Sequence, residues 1–298
     1  MTTRVVVIGD CNTDVVVRID GPHHDRSDTR AAISVHPGGA ATNQAVALAA
    51  AGATVALVAA VGDDLPGRLA KTELEARGVE PYLQQLRGAS GVVVAIVERD
   101  GQRSMLTDRG ANLGLDPAFL AELPWSDFSH CHLSGYTLLD ATTRAAGLAA
   151  LDLARRHGCS TSVDPSSAGP LREVGAAAFL EWTAGCTYLF ANEDEAAVLA
   201  SDADPERQLD RLAASYGEVV LTYGPRGSAV AVGPSRFGAA APSIAVVDST
   251  GAGDAHTGAY LAARLLGAPV PQALDAAARA AAAVLQHPGA QLEGYSRE

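Results

Sequence analysis

The chain has 298 residues, 48% of them hydrophobic, which allows one large or two small domains with a sizeable core. Its formal net charge of −12 disfavours nucleic acid or an anionic membrane as a partner, because both require a basic surface on the protein. Lys71 is the only lysine, which excludes a phosphate loop ending in Gly-Lys-Ser/Thr and leaves no second lysine for a Schiff base.

The predicted elements alternate over most of the chain. Residues 5–8 form a buried strand, and a helix over 40–51, a strand over 55–60 and a helix over 65–77 follow. After Asn112, strands that begin near 130, 161, 187 and 219 alternate with helices over 142–156, 175–184 and 205–216. Helices over 253–266 and 271–286 come last. This alternation predicts an α/β fold with a mostly parallel central sheet and helices on both faces.

Two β-rich segments, about 13–37 and 90–110, fall outside the alternation. Residues 15–17 and 32–35 are strand-like, and residues 92–97 and 103–107 flank Asp100-Gly101, a strong hairpin signal. We expect these segments to form a small sheet that closes over a cleft as a lid, so that residues 1–298 are a single domain with a lid. Exposed lid strands also predict pairing between two copies as a homodimer.

The cellular location is predicted from the cysteines and the N-terminus. The four cysteines are widely spaced and are expected to be buried, reduced thiols, and no secretory signal is evident, so the cytoplasm is favoured. Residues 45–62 are uncharged, and a membrane span is the alternative there. Because Gly52 interrupts them and β-branched residues follow, they predict a buried helix, a turn and a strand instead.

The most informative motif spans residues 248–254, Asp-Ser-Thr-Gly-Ala-Gly-Asp, at the start of the helix near the C-terminus. The small residues Gly251, Ala252 and Gly253 let the backbone approach a ligand, and a helix N-terminus offers free N–H groups to an anion. Asp254 stands in the first turn beside them. The motif predicts phosphoryl transfer, with residues 251–253 as an anion hole and Asp254 as general base.

A second group of residues is predicted at the ends of the early elements. Asn12 and Asp14 follow the first strand, while Gly38, Gly39 and Asn43 open the first long helix. Ligands of open α/β sheets bind beyond the carboxyl ends of the strands, and side chains that donate and accept suit the hydroxyls of a small acceptor. A turn followed by a helix cap is the alternative for the glycine segment, and a turn formed by Asn12 and Asp14 is the alternative for that pair.

Three further groups have open alternatives. Asn192 and Glu195 begin a helix, where they either cap it or hold Mg²⁺ through water. Thr222, Gly224 and Gly227 either line a nucleotide or form a turn between strands. His130 and His132 face the same side of a strand, either as a metal pair that lacks a third ligand or as packed histidines.

These motifs together resemble the ribokinase-like (PfkB) family of carbohydrate and nucleoside kinases. Gly38-Gly39 with Asn43 is similar to the N-terminal family signature, residues 248–254 with Gly258 to the C-terminal one, and residues 192–195 to the Asn-x-x-Glu element. The order and separation of the three motifs cover nearly the whole chain.

The resemblance implies a kinase that moves the γ-phosphoryl group of ATP to a hydroxymethyl group, with Asp254 as base. It implies that Asn12, Asp14, Gly38, Gly39 and Asn43 hold the acceptor. It further implies nucleotide contacts from Asn192, Thr222, Gly224 and Gly227, and Mg²⁺ held through water by Glu195. Asp248 and Thr250, with backbone near residues 288–290, resemble the potassium loop of part of the family.

Departures from the ribokinase pattern leave the acceptor open. Ala40 stands where ribokinases usually carry lysine, Leu133-Ser134-Gly135-Tyr136 lacks their glutamate, and Ser249 replaces the usual threonine. Arg103 and Arg109 either reach an acidic sugar such as a ketodeoxy sugar acid or lie on the surface, and the surface position is favoured. A ketodeoxygluconate-type kinase and a nucleoside kinase are alternatives within the same family. From other classes, a non-catalytic sugar-binding regulator is an alternative, whereas an oxidoreductase is disfavoured because no G-x-G-x-x-G follows the first strand.

Overall fold

The computed structural model describes residues 3–19, 21, 24, 26–97 and 103–287. The strands are β1 (Arg4–Ile8), β2 (Asn12–Ile19), β3 (Ala31–Gly38), β4 (Thr54–Gly62), β5 (Val79–Leu86), β6 (Gly91–Val97), β7 (Arg103–Asp108), β8 (His130–Ser134), β9 (Ser160–Asp164), β10 (Tyr188–Asn192), β11 (Glu218–Thr222), β12 (Ser228–Val232) and β13 (Ser235–Ala239). The helices are α1 (Ala40–Ala50), α2 (Leu65–Ala76), α3 (Pro117–Ala121), α4 (Tyr136–Leu139), α5 (Arg144–Arg156), α6 (Ala168–Val174), α7 (Ala176–Trp182), α8 (Glu193–Ala200), α9 (Pro205–Ala213), α10 (Ala252–Leu265) and α11 (Val270–Leu285).

The main sheet has nine strands in the order β13-β12-β11-β10-β9-β8-β1-β4-β5. The strands from β11 to β5 pair in parallel, whereas β12 and β13 are antiparallel at one edge. β1 lies near the centre because residues 5–8 are all apolar and can be buried on both faces. The expectation of a mostly parallel sheet is confirmed.

Helices cover both faces of this sheet, as expected. On one face the core is formed with residues of α3, α5 and α7–α9, and on the other with residues of α1, α10 and α11. Gly258 of α10 packs so closely on α1 that a Cβ there would lie 2.5 Å from the Ala47 methyl. This contact sets the position of the N-terminus of α10 relative to α1.

The two β-rich segments form a separate four-stranded sheet in the order β3-β2-β6-β7, which confirms the expected small sheet. β2 pairs with β3 and β6 with β7 in antiparallel fashion, and β2 joins the two pairs through a parallel ladder with β6. The turn at Asp100-Gly101 lies outside the described residues. We call this sheet the lid.

The two edge strands of the main sheet, β5 and β13, were not predicted. β5 carries Glu80, Pro81, Gln84 and Gln85, so its apolar alternation is weak. It is an edge strand, and edge positions tolerate proline and polar side chains. None of the helices in the described ranges is long and apolar enough to cross a bilayer. The region predicted as helix, turn and strand from residue 45 is formed by α1 and β4. All four cysteines are free and buried, as expected.

Candidate active site

A cleft of about 480 Å³ lies between the lid and the carboxyl ends of the parallel strands. Asp10 follows β1, Asp164 ends β9, Asn192 ends β10 and Thr222 ends β11, so the strand ends form its floor. The lid supplies Asn12, Asp14, Val93, Met105 and Thr107, and the first turn of α10 supplies Gly251, Gly253 and Asp254. The lid and the main sheet therefore share one site.

The N-terminus of α10 faces this cleft. Gly251 has a left-handed backbone (φ 76°), a conformation that favours glycine, and it turns the chain into the helix. The N–H of Ala252 lies 3.5 Å from the Ser249 carbonyl, at the limit of a hydrogen bond. For Gly253, the second residue of the helix, no backbone partner is found within the described chain, as expected for a free helix N-terminus.

Asp254 is held at the edge of the same cleft by Asn43. The Asn43 Nδ2 group donates to the Asp254 Oδ2 atom at 3.1 Å, and both side chains line the cleft. Burial, and next the negative charge of Asp164, raise the pKa of the Asp254 carboxyl well above its ordinary value. Asn43 was predicted to bind the acceptor; it lines the cleft and contacts Asp254, and its contact with an acceptor stays a prediction.

Asp10, which sequence reasoning missed, caps the start of α1. Its carboxylate accepts hydrogen bonds from the backbone N–H of Ala40 at 3.0 Å and of Ala41 at 3.3 Å. Gly39 precedes them with φ 100°, and a Cβ there would lie 2.8 Å from the Asp10 carbonyl oxygen. The Gly38 position is equally close to a carboxylate, because a Cβ would lie 2.1 Å from the Asp14 Oδ2 atom. The glycine pair thus makes room for two carboxylates.

Asn12 is fixed between two polar neighbours. Its Nδ2 group donates to Asp10 at 3.2 Å, and its Oδ1 atom accepts from the Nδ2 group of Asn112 at 2.8 Å. Asn112 is buried and also bonds the backbone of Cys11 in both directions. Asn112 was not predicted as a site residue, because a single asparagine in a loop carries no sequence signal.

Asp14 lines the cleft from the lid, and its surroundings disfavour its charge. Burial, and next the charge of Asp10, raise the pKa of the Asp14 carboxyl to about 6. Because its pKa is raised in the folded state, the protonated Asp14 carboxyl contributes stability to the unliganded fold. This contribution is fully present at pH values below the ordinary pKa of an aspartate and is lost as the pH rises through about 6.

We expect acceptor affinity to have the opposite pH dependence. If Asp14 binds the acceptor, its ionised carboxylate accepts hydrogen bonds from the acceptor hydroxyls. Binding should then weaken as the pH falls from 7 to 5, and Asp14→Asn should remove most of this dependence. Calorimetric titration of acceptor without nucleotide measures it. Equal pH dependence in the parent protein and in Asp14→Asn would exclude Asp14 from acceptor binding.

Asn192 and Glu195 form a reciprocal capping box at the start of α8. The Asn192 side chain accepts from the Glu195 N–H at 2.9 Å, and the Glu195 Oε2 atom accepts from the Asn192 N–H at 2.9 Å. The capping alternative is therefore realised, and Glu195 also lines the cleft. Burial, and next the charge of Asp164, raise the pKa of Glu195 to about 8.

Asp164 is a second cleft carboxylate that sequence reasoning missed. Its charge contributes to the raised pKa of both Glu195 and Asp254. Its Oδ1 atom accepts from the Ser166 N–H at 2.8 Å and its Oδ2 atom from the Gln44 side chain at 2.9 Å. Among the residues that the structure describes, no three His, Cys, Asp or Glu side chains are grouped to bind a metal ion directly.

The segment after β11 is a turn between two strands. Thr222 lines the cleft, whereas Gly224 and Gly227 lie in the turn and not among the cleft residues. A Cβ at Gly227 would lie 2.0 Å from the Ala239 carbonyl oxygen, so this glycine is required by the approach of β13. Arg226 forms an ion pair with Glu193. The nucleotide contacts predicted for Gly224 and Gly227 stay predictions.

Asp248 lies in the segment that leads into α10. Its Oδ1 atom accepts from the N–H and the hydroxyl of Thr250 at 2.9 and 2.8 Å, and its Oδ2 atom is 3.4 Å from the Arg18 guanidinium of the lid. Thr250 itself lines the cleft. Residues 288–290, predicted to complete the potassium loop, lie outside the described chain.

Arg109 lines the cleft just after β7. Its Nη1 atom donates to the Tyr136 carbonyl at 3.4 Å, lies 4.0 Å from the Asp140 Oδ2 atom, and the guanidinium stands 5.1 Å from the centre of the Tyr136 ring. The side chain of Arg103 lies outside the described part of the chain. Arg109 is thus held in place with its charge partly balanced.

His130 and His132 do face the same side of β8, where both bond the Ser162 hydroxyl. Burial lowers the pKa of each ring to about 3, so both are neutral near pH 7. His130 and His132 are therefore packed in the core, as the second alternative predicted, and both are hydrogen-bonded there.

The chain is similar to known proteins over nearly its whole length. A model described as pfkB family carbohydrate kinase matches residues 2–295, which confirms the resemblance drawn from the motifs. A ribokinase of Schizosaccharomyces pombe is 32% identical, with 96% of this chain and 93% of the relative covered. An ATP-dependent ribose-1-phosphate kinase of Halopiger xanaduensis is 29% identical, with 91% and 88% covered. The crystal structure of an adenosine kinase from Sinorhizobium meliloti superimposes with a TM-score of 0.87 at 26% identity, covering 98% of this chain and 96% of that one.

Proposed function

Because the chain belongs to the pfkB family of carbohydrate kinases, we propose that it transfers the γ-phosphoryl group of ATP to a hydroxymethyl group of a small sugar, with Asp254 as general base. The observation that supports this best is the placement of Asp254. It stands in the first turn of α10, beside Gly251 and Gly253, and Asn43 holds it against the cleft.

Each part of the site has a role in this reaction. The free N–H groups at the start of α10 bind the oxygens of the transferring phosphoryl group, where negative charge must be stabilised. Asp254 accepts the proton of the acceptor hydroxyl, and a raised pKa suits a base because it strengthens the attraction for that proton. The lid residues Asn12 and Asp14 orient the acceptor hydroxyls and exclude water.

The cleft residues fit Mg²⁺ held through water. Burial raises the pKa of both Glu195 and Asp164, and a neighbouring carboxylate raises each further, Asp164 at Glu195 and Asp10 at Asp164. A divalent cation would relieve this repulsion. When bound, Mg²⁺ would neutralise phosphate charge on ATP. Asn192 and Thr222, at the ends of β10 and β11, are the proposed contacts of the nucleotide.

A potassium site at Asp248 and Thr250 has less support. The Arg18 guanidinium already provides positive charge at the Asp248 carboxylate. We therefore include the presence and absence of K⁺ in the activity test below.

The names of the relatives narrow the range of acceptors that we propose for this chain. The ribokinase, the ribose-1-phosphate kinase and the adenosine kinase are named for acceptors that share ribose and differ in what the sugar carries at C1. We propose a ribose-like acceptor. Arg109 could contact an anionic substituent, which favours ribose 1-phosphate or a sugar acid over an uncharged nucleoside as the second candidate.

The test is ADP release with ATP and, in turn, ribose, ribose 1-phosphate, adenosine and a ketodeoxy sugar acid, each with and without Mg²⁺ and K⁺. We expect Mg²⁺-dependent ADP release that requires one of these acceptors. Tight acceptor binding with no ADP release under any condition would instead favour the non-catalytic regulator.

The lid surface supports the proposed homodimer. Ile33 and Val35 of β3 and Leu106 of β7 are each about 60% exposed, and the strand register places them on the face opposite Asp14 and Thr107. An apolar outer face of this kind marks an interaction surface. A second copy is the proposed occupant, since β3 and β7 are also the open edges of the lid.

We expect Leu106→Asp to shift the protein from dimer to monomer in sedimentation. Leu266→Asp changes an exposed leucine outside the lid and serves as the control. A parent protein that sediments as a monomer at micromolar concentration would contradict the lid dimer.

A further inference from the structure

A row of buried polar side chains crosses the core between β8, β9 and α1. Four of them, Gln44, His130, His132 and Ser162, have at most 1% of their surface exposed. They lie among apolar and aromatic neighbours, with the His132 ring 6.0 Å from Phe190. Polar groups are costly to bury in such surroundings unless they are fully hydrogen-bonded, so the row requires an explanation.

Five hydrogen bonds connect the row to the cleft. From the far end they join Ser160 Oγ to His130 Nδ1 (2.7 Å), His130 Nε2 to Ser162 Oγ (2.7 Å), Ser162 Oγ to His132 Nδ1 (2.6 Å), His132 Nε2 to Gln44 Oε1 (2.8 Å) and Gln44 Nε2 to Asp164 Oδ2 (2.9 Å). We call this row the relay. Its last member, Asp164, lines the cleft beside Glu195 and Asp254.

The hydrogen bond between Gln44 and Asp164 fixes the direction of donation along the relay. The Gln44 Nε2 atom donates to the Asp164 Oδ2 atom, so the Gln44 amide presents its NH₂ group to Asp164 and its oxygen to His132. His132 must then donate from Nε2 and accept at Nδ1. The Ser162 hydroxyl therefore donates to His132 Nδ1, and its oxygen must accept from His130 Nε2. His130 thus has the same tautomer as His132, with its proton on Nε2.

Several donors favour this direction over its reverse. Asp164 also accepts from the Ser166 N–H at 2.8 Å and from the Thr257 side chain, so donors converge on its carboxylate. In the reverse chain, a protonated Asp164 would donate to Gln44, and both histidines would carry the proton on Nδ1.

We propose that Gln44 is a positioning residue of the phosphoryl-transfer site, and that the relay locks its amide so that the NH₂ group always holds Asp164. The inference rests on the proposed function. With the amide locked, the Asp164 carboxylate keeps its place beside Asp254. A free amide could flip and set its oxygen against the carboxylate, which would push Asp164 out of position.

The first test needs no turnover. Long-range ¹H–¹⁵N NMR of the ¹⁵N-histidine-labelled, unliganded protein reports which ring nitrogen carries the proton. We expect His130 and His132 to be neutral, with the proton on Nε2, at pH 7.5. A proton on Nδ1 of either ring, or a charged ring, would overturn the proposal whether or not the protein proves to be a kinase.

The second test separates positioning from packing. Once turnover of the parent protein is established, His132→Gln and His132→Leu are compared. The glutamine can still donate to Gln44 and should keep kcat within about threefold, whereas the leucine fills the apolar space but cannot donate. We expect at least a tenfold loss of kcat in His132→Leu and in Gln44→Met, with the acceptor KM little changed. Both variants should melt at a lower temperature than the parent, because buried partners lose a hydrogen bond, but both should remain folded at the assay temperature. Full kcat in a folded Gln44→Met protein would overturn the proposal.

Discussion

Asp254→Asn should lower kcat by roughly 10³-fold, since removal of a positioned general base typically costs 10² to 10⁴. The asparagine keeps the size of the side chain, and its oxygen can still accept from Asn43 Nδ2, so the fold should be retained. Loss of the negative charge removes the only group in the first turn of α10 that can accept the acceptor proton. Steady-state ADP release with saturating ATP and acceptor measures the effect.

The matched control is Asp210→Asn. Asp210 is 68% exposed and pairs with Arg236 away from the cleft, so its replacement should leave kcat unchanged. Melting temperatures of both variants should stay close to that of the parent. An Asp254→Asn protein with kcat within threefold of the parent would show that another group removes the proton.

Gly39→Ala should destabilise the protein by about 2–4 kcal/mol and weaken acceptor binding. The left-handed backbone of Gly39 (φ 100°) is strained for any other residue, and such strain costs about 1–3 kcal/mol. The added Cβ would also lie 2.8 Å from two oxygens of Asp10. Because Asp10 caps α1 and bonds Asn12, a shift there reaches the acceptor side of the cleft.

Denaturant unfolding and the acceptor KM measure the two effects. Gly169→Ala is the control, because a Cβ at this helical glycine meets no atom within 4 Å and the change to alanine should be neutral or slightly stabilising. If Gly39→Ala were as stable as Gly169→Ala, the close approach between Gly39 and Asp10 would not exist in solution.

Local patterns were sufficient for most of the fold. The all-apolar run of β1 predicts a buried parallel strand, because such a strand is covered on both faces. The lid sheet was predicted from its strand-like runs and from the hairpin signal at Asp100-Gly101. The pattern failed at β5, where one edge of the strand is open and polar residues are tolerated.

Local sequence patterns also predicted some residues of the candidate site but not others. Gly251 and Asp254 are predictable because their conformation and charge belong to one contiguous motif at a helix start. Asp10, Asp164 and Gln44 are not, because each gains its role from a partner distant in sequence: Gln44 and Asp164 are 120 residues apart. A single acid after a strand is common in turns, and only the folded arrangement shows that these acids meet in one cleft.

The central claim is that Asp254 removes the acceptor proton while the N-terminus of α10 binds the moving phosphoryl group. Single-turnover phosphoryl transfer, with ATP and acceptor bound before Mg²⁺ is added, tests this step apart from binding and product release. We predict that Asp254→Asn binds both substrates with affinities near those of the parent and slows the transfer step itself by roughly 10³-fold. Transfer at the parent rate in that variant, with phosphate on the same hydroxymethyl group, would contradict the account.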